Sequence, residues 1–393
     1  MHARKLIMGC ACDVQVTQTV CLAAVISLSC ATATIKTMKT DRQPNLVIFR
    51  IGSIGDTVVA LPCFHAVARA FPRHRKILLT NAVASARASS VETVLEGTGL
   101  IDQALYFPVG RGKLSHSIAL ASQLRQLSAE ALVYLAPRTT GLQVYRDLLF
   151  FRAAGIRRVL GAPLGIGARE CHADPVTHDL EPEAERLARI LSPEIPVDLS
   201  PASWDLRLTP AEHATAAQKL SGLLGWRPLV ALSPGAKIPA KDWGEERWAA
   251  LIGLLQVRIP AVTLVFVGAP DERPLTERLA QQWSGAKLNL CGQLTPRESA
   301  AVLGRCNMLV CHDSGPMHLA ASQGVRCVAL FGSFNRPRQW FPYGRDHVVI
   351  YESTGVQHIS VERVADSVDA AVRMLHTPTL HAEPRVVHLG SRR

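Results

Sequence analysis

"NLVIFRIGSIGDTVVALP", residues 45–62, runs a β-branched apolar stretch straight into two glycines, an aspartate and then a helical pattern that continues to about Ala70. The short apolar run at 45–49 reads as a buried strand. Gly52 and Gly55 let the chain turn tightly after it, and their missing side chains leave room for a substrate close to the backbone. Asp56 then falls in the first turn of the following helix. A strand handed to a helix through a glycine turn is the repeating unit of a parallel α/β sheet.

Working outward, the same alternation recurs along the chain. "KILLT", "ALVYL" and "RRVLG" follow in the first half, then "PLVALS", "VTLVFVG", "MLVCH" and "CVALFG" in the second, with helical patterns between them. Two parallel-sheet α/β units are expected, facing a cleft at the carboxyl ends of their strands. Between them "LSPEIPVDLSPASWDLRLTP", residues 191–210, reads as an interdomain crossing because Pro193, Pro196, Pro201 and Pro210 interrupt it. "SVERVADSVDAAVRML" predicts a final helix capped by Ser360, and the tail after it reads as disordered. The expected organisation is an extension over 1–43, a first domain over 44–200, a second over 201–378 and a tail over 379–393.

The whole chain supports this division. Its 393 residues exceed one ordinary core, and 48% hydrophobic against 19% charged residues is a globular balance. The net charge of +11 fits nucleic acid, an anionic membrane surface or a phosphorylated substrate. No zinc-finger spacing, RNP-like motif or basic run with interleaved aromatics is present, which sets nucleic acid aside. Of the ten cysteines, Cys10, Cys12, Cys21 and Cys30 crowd the first thirty residues and several others sit in apolar runs, as small buried hydrophobes do, so a reducing compartment is expected. "VCLAAVISLSCATA", from Val20, is short for a span. It reads as a poor signal peptide, an interfacial anchor or an extension translated from an early start.

Asp56 has two readings. It caps free N–H groups and complements the helix dipole, or it is a functional carboxylate facing a cleft. The glycines do not match the dinucleotide fingerprint, because their spacing is G-x-x-G and the next strand ends at Asn81 rather than an acid. No G-K-[ST] follows, which excludes an ATPase-type phosphate loop.

Two clusters in the second half carry further chemistry. In "SPGAKIPAKDW", residues 233–243, Pro234, Gly235 and Pro239 fix an irregular loop that offers Lys237 and Lys241 to a phosphate. Trp243 is an apolar anchor for that loop, while Lys237 reads equally as a solvated lysine. In "CHDSGPMHLAASQG", residues 311–324, a buried strand ends before Asp313, Ser314 and Gly315 turn the chain, and Pro316 takes an early helical position. This is an ordinary capped helix start or an anion site, since its N–H groups and dipole suit an anion. Asp313 beside such an anion would accept hydrogen bonds from sugar hydroxyls. Cys311, His312, Asp313 and His318 could suggest a metal, but alternate strand residues point to opposite faces. No metal site is expected.

At these residues the sequence resembles glycosyltransferase family nine, the lipopolysaccharide heptosyltransferases. The matching stretches are "IFRIGSIGDTVVALPCFHAVARAFP", "SPGAKIPAKDWGEERWAAL", "VFVGAPDE", "LTPRESAAVLGRCNMLVCHDSGPMHLAASQGVRCVALFGS" and "FPYG", in the family's order over residues 46 to about 375. The resemblance implies a GT-B fold of two Rossmann-like domains, with acceptor in the first, ADP-heptose in the second, inverting transfer and no cofactor. It implies Asp56 as general base behind an acceptor-side loop of Gly52, Ser53 and Gly55. On the donor side it implies Lys241 at the phosphates, Glu272 at the ribose and Leu294 at adenine. Asp313, Ser314, Gly315 and Pro316 would hold the diphosphate and sugar, with Met317 and His318 beside them, although Pro316 offers no N–H.

Two positions depart from the family pattern. Val59 stands where members often carry His, and Gly244 where Pro often follows the loop tryptophan. Both bear on the acceptor and the sugar. The alternatives are a related transferase using another nucleotide sugar, or a non-catalytic binding module. The resemblance further implies work on a lipid-linked acceptor at the cytoplasmic membrane face. Arg69, Arg73, Arg75 and Lys76 are the expected basic contact for peripheral attachment, with residues 1–43 as a competing anchor.

Overall fold

In the computed structural model Asn45–Phe49 is strand β1, with Leu46 to Phe49 buried on both faces of a parallel sheet. The described residues are 43–82, 91–107, 114–136, 140–223 and 227–375, with the short strand at 386–387. Residues 1–42, including the apolar stretch from Val20, lie outside them, and so do four of the cysteines.

The first sheet contains β1, β2 (Arg75–Asn81), β3 (Gln103–Phe107), β4 (Ala131–Tyr134) and β5 (Val159–Leu160). Its helices are α1 (Ile54–Val58), α2 (Leu61–Ala70), α3 (Glu92–Leu95), α4 (Leu114–Leu127), α5 (Gly141–Ala153), α6 (Ile166–Arg169) and α7 (Glu183–Leu191). The second contains β6 (Leu229–Ser233), β7 (Thr263–Phe266), β8 (Lys287–Asn289), β9 (Met308–His312), β10 (Arg326–Gly332), β11 (Val348–Glu352) and β12 (Val386–Val387). Around it run α8 (Pro210–Leu220), α9 (Glu245–Arg258), α10 (Arg273–Gln281), α11 (Pro296–Leu303), α12 (Gly315–Ser322) and α13 (Val361–Met374). Ser360 caps α13 as expected, accepting from the Arg363 N–H.

All strand pairs are parallel, in the orders β3-β2-β1-β4-β5 and β12-β11-β10-β9-β6-β7-β8. Each order reverses direction once, at β1/β4 and at β6/β9. Crevices form at the carboxyl ends of strands where the order reverses. The loops after β1, β6 and β9 therefore open on such crevices, and these are the three stretches singled out by sequence.

Three details differ from the sequence reading. The helical pattern from Ile54 to Ala70 is two helices, because Pro62 in the first turn of α2 has no N–H to continue α1. The tail contributes a strand, since Val386–Val387 pair with Val349 and Ile350 along the open edge of β11. The crossing over 191–210 is packed rather than loose. Trp204 stacks on Tyr343 with ring centroids 4.5 Å apart, and Leu206 is fully buried.

Arg297 of α11 ties that crossing to both sheets' surroundings. Its Nη1 donates to Val94 O at 3.0 Å and Leu206 O at 2.9 Å, and its Nη2 to Arg207 O at 3.0 Å. Glu212 of α8 takes its Nε at 2.5 Å and Nη2 at 2.9 Å. One apolar cluster is continuous from Leu46 and Phe64 through Leu206 to Leu309 and Phe331. No helix of the described residues is long and apolar enough to cross a membrane.

Candidate functional site

The chain leaves β1 at Phe49 and reaches α1 through Ser53, whose extended backbone makes it the N-cap. Asp56 at the third helical position reaches back: Ser53 N and Ser53 Oγ each donate to its Oδ2 at 2.8 Å. The capping role and the cleft-facing role coexist, because Asp56 also lines the cleft. Gly52 is required here. Its φ of +139° is a glycine conformation, and a Cβ there would fall 2.5 Å from Asp56 Cβ. Gly52 does not itself line the cleft, but its N–H donates to Asn81 Oδ1 at 2.9 Å, which fixes the turn.

Beneath Asp56 lies Arg50, a residue the sequence reading passed over. It is fully buried and donates Nη1 to Leu135 O at 2.6 Å and Nη2 to the Asp56 carbonyl, with Nη2 3.9 Å from Asp56 Oδ1. Burial pulls its guanidinium below the ordinary value, while the carboxylates of Asp56 and Glu183 favour its charge. An arginine directly after a buried strand was the available signal.

Across the cleft, the loop after β6 presents Lys241, whose Nζ lies 2.5 Å from Asp313 Oδ2 and 4.8 Å from the Phe334 ring centroid. Asn335 Nδ2 donates to the same carboxylate oxygen. Lys237 is exposed and lines the cleft. Trp243 anchors the loop, being fully buried with its Nε1 donating to Ile359 O at 2.9 Å.

His312 is the second anchor. The Trp243 N–H donates to its Nε2 at 3.0 Å, and its Nδ1 lies 3.4 Å from Gly235 O, which fixes a neutral ring with the proton on Nδ1. Burial lowers its pKa to about 4. Consecutive residues of the strand end thus go to different tasks: Cys311 joins the apolar core, His312 holds the lysine loop, and Asp313 faces the cleft. Gly244 takes φ +97°, which proline cannot adopt. The loop's exit therefore has a backbone that Pro at this position would forbid.

Glu272 sits over two glycines. A Cβ on Gly235 would fall 2.0 Å from Glu272 Cδ, and one on Gly268 would fall 2.2 Å from its Oε2. The Ala269 N–H donates to Oε2 at 2.8 Å, yet burial leaves the carboxyl above its ordinary pKa. Leu294 lines the same wall with Pro296 and Ser299.

The α12 start meets α1 directly. A Cβ on Gly55 would stand 2.8 Å from His318 Cδ2, and one on Gly315 would stand 3.3 Å from Ile54 Cβ. Glycine at both positions lets the two helix N-termini come together. Ser314, Gly315, Pro316 and His318 line the cleft, and burial lowers the His318 pKa although Asp313 and Asp56 oppose this. Met317 does not line it. Its side chain is fully buried in the core, whereas Pro316 and Leu319 on either side of it also line the cleft.

The cleft these residues enclose has a volume of about 510 Å³. Asp56 stands on one wall, Lys241, Asp313 and the α12 N-terminus on the other, with Glu272 and Leu294 further along. Val59 does not line it, joining Ala184, Trp204, Trp340 and Tyr343 in a small apolar cluster. Of the expected basic contact, Arg69, Arg73 and Arg75 are exposed. Arg75 and Lys76 begin β2, at the amino end of the sheet and away from Asp56. Lys76 is buried and paired with Asp102 Oδ2 at 3.3 Å, while Arg75 donates to Gln103.

The family description "Glycosyltransferase family 9 (heptosyltransferase)" matches residues 150–365. Lipooligosaccharide heptosyltransferase 2 of Haemophilus influenzae is 33% identical over 134 residues, which are 32% of this chain and 38% of that protein. Lipopolysaccharide heptosyltransferase 2 of Escherichia coli is 31% identical over 140 residues, covering 34% and 39%. The matched stretch thus spans about two fifths of these relatives' length. Among solved structures, a family 9 glycosyl transferase from Veillonella parvula aligns with TM-score 0.65 at 19% identity, over 84% of this chain and 98% of that one. E. coli ADP-heptose LPS heptosyltransferase II aligns with TM-score 0.61 at 18% identity, over 85% and 100%. At these identities the likeness establishes the GT-B architecture of two parallel-sheet domains.

Proposed function

The chain belongs to glycosyltransferase family 9, and from that premise we propose that it transfers heptose from ADP-heptose to a lipopolysaccharide core hydroxyl by an inverting single displacement. The observation that carries the proposal is one cleft with a carboxylate on one wall and a cation beside a helix N-terminus on the other.

Asp56 acts as general base. It accepts the proton of the acceptor hydroxyl as that oxygen attacks the anomeric carbon, and the bond from that carbon to the diphosphate breaks on the opposite face. Its Oδ2 is engaged by Ser53, so the proton goes to Oδ1. Lys241 and the N–H groups at the start of α12 receive the charge that develops on the departing ADP. Asp313, paired with Lys241 and accepting from Asn335, accepts further from hydroxyls of the transferred sugar. Glu272, raised by burial and facing the cleft, accepts from the ribose hydroxyls, and Leu294 packs against adenine. The acceptor is lipid-linked, so the enzyme works as a peripheral protein at the cytoplasmic membrane face.

Thermal stabilisation by ADP-, UDP-, GDP- and CMP-sugars tests the donor. A ligand at about 100 times its Kd adds about 2.7 kcal/mol of stability. The ADP sugar is expected to raise the melting point alone or by the most. A shift given only by a uridine or guanosine sugar would assign another donor.

A further inference from the structure

Helix α5 is apolar on two opposite sides. Val144 and Phe151 are buried against the first sheet, as a covering helix requires. On the other side Leu142, Tyr145 and Leu149 are 81%, 59% and 70% exposed. At about 100° per residue these three fall within roughly 60° of arc, centred about 140° from Val144 and Phe151. A helix that is hydrophobic all round is ordinarily enclosed. Here the outer stripe is left to solvent, and a contiguous exposed apolar stripe marks an interaction surface.

Charge identifies its partner. Arg146 borders the stripe at Leu142 and Arg152 borders it at Tyr145, each within roughly 40° of the nearest apolar position. Both arginines are exposed. Asp147, the acidic residue of the helix, accepts the Tyr134 hydroxyl on Oδ2 at 3.0 Å and Arg146 Nε and Nη2 on Oδ1 at 3.1 and 2.8 Å, so its charge is taken up at the edge of the stripe. The outer face of α5 therefore presents aliphatic and aromatic groups between Arg152 at one border and Arg146, held by Asp147, at the other. Two copies meeting through this stripe would oppose arginines to arginines, whereas an anionic lipid surface satisfies both parts of it.

Position supports the same partner. α5 starts after the carboxyl end of β4, the strand beside β1, and Leu135 at that end accepts from Arg50 under Asp56. Ile166, 75% exposed, lies at the same end, since Arg169 one turn on packs within 3.1 Å of a Cβ placed on Gly141. The start of the stripe at Leu142 and Asp56 thus share one end of the first sheet, and the helix runs back from it. Arg75 and Lys76 begin β2 at the other.

We propose that the outer face of α5 docks on an anionic phospholipid surface, with Leu142, Tyr145 and Leu149 entering the interface and Arg146 and Arg152 meeting the headgroups. This rests on the reading that the acceptor is lipid-linked, but not on which sugar is transferred.

The test is sedimentation of the full chain with vesicles of mixed anionic and zwitterionic phospholipid, and with zwitterionic vesicles alone. The wild type is expected to bind the anionic vesicles, and Leu142→Ser/Tyr145→Ser/Leu149→Ser to lose about tenfold or more in partitioning. Arg146→Gln/Arg152→Gln should lose the part that salt near about 0.15 M weakens. All of these side chains are exposed, and stabilisation by nucleotide sugar should be equal in every variant, which separates failure of docking from failure of the transferase reading. The proposal is overturned if the serine variant binds as the wild type does, which would move the anchor elsewhere in the chain. It is equally overturned if the wild type ignores anionic vesicles. A light-scattering dimer that the serine substitutions make monomeric would assign the stripe to a second copy instead.

Discussion

Acidification should release the lysine loop through His312. In the native fold this ring is neutral, accepts the Trp243 N–H and has a pKa of about 4, against about 6.5 in an unfolded chain. The unfolded state therefore binds more protons between these values, and stability must rise with pH across that window. The contribution is complete above about pH 6.5 and is lost as pH falls toward 4. A difference of about 2.5 units at about 1.36 kcal/mol each gives about 3 kcal/mol in all, and about 2 kcal/mol of it is lost by pH 5. Other groups titrate in the same range, so the comparison is with His312→Gln, whose side-chain oxygen can still accept from Trp243 but does not titrate. Urea unfolding of both proteins at intervals from pH 7.5 to 4.5 isolates the term. The wild type should be the more stable at neutral pH, and its advantage should shrink by about 2 to 3 kcal/mol on acidification. Parallel profiles would refute the assignment of a neutral, load-carrying imidazole.

Asp56→Asn should lower turnover by about 10² to 10⁴ while leaving stabilisation by the nucleotide sugar intact; near-normal turnover would remove Asp56 from the base role. Gly235→Ala puts a Cβ 2.0 Å from Glu272 Cδ, so the carboxylate must move. Donor affinity by calorimetry should fall by about 1 to 3 kcal/mol, and an unchanged Kd would deny Glu272 a ribose contact. Arg297→Met strands Glu212 and three carbonyls, and should cost about 3 to 5 kcal/mol in urea unfolding; a loss under about 1 kcal/mol would mean the crossing is held by its apolar contacts.

Residues whose role is local were legible in the sequence. The buried runs at β1, β6 and β9 announce themselves by composition, and glycine or proline at their carboxyl ends marks the loops that open on the cleft. Asp56, Lys241 and Asp313, which line the cleft, were singled out because each follows such an end, whereas Glu272 came only through the family resemblance. Residues whose role depends on distant partners were not legible. His312 meets Trp243 across 69 positions and Arg297 meets Val94 across 203, so neither has a local pattern to betray it. Edge strands such as β3 and β8 are short or half exposed, which dilutes their apolar signal. Met317 was misread because a motif names consecutive residues, whereas a helix turns about 100° at each. The basic group at Arg69 to Lys76 shows a related limit of pattern, since charge counts along a chain do not say which end of a sheet they reach.

The packed crossing changes what the cleft can do. A proline-rich linker between two lobes suggests a hinge that ligands close, yet here the lobes already meet, at two places beside the apolar cluster of Val59 with Tyr343 and the hydrogen bond from Glu183 N to Gln339 O. One is the contact of α1 with α12, where Gly55 faces His318 and Gly315 faces Ile54. The other is Arg297, whose hydrogen bonds reach Val94 beside the first sheet, Leu206 and Arg207 in the crossing, and Glu212 beyond it. Opening the cleft would part the α1–α12 contact and take the Val94 carbonyl from Arg297, whose guanidinium would keep Glu212 and Arg207. The separation between Asp56 and the α12 N-terminus is therefore set by packing in the protein itself. On the proposed reaction, a base and an anion site held at fixed separation would need no reorganisation when a donor and an acceptor arrive, and that is the arrangement in which such groups contribute most to a transfer step.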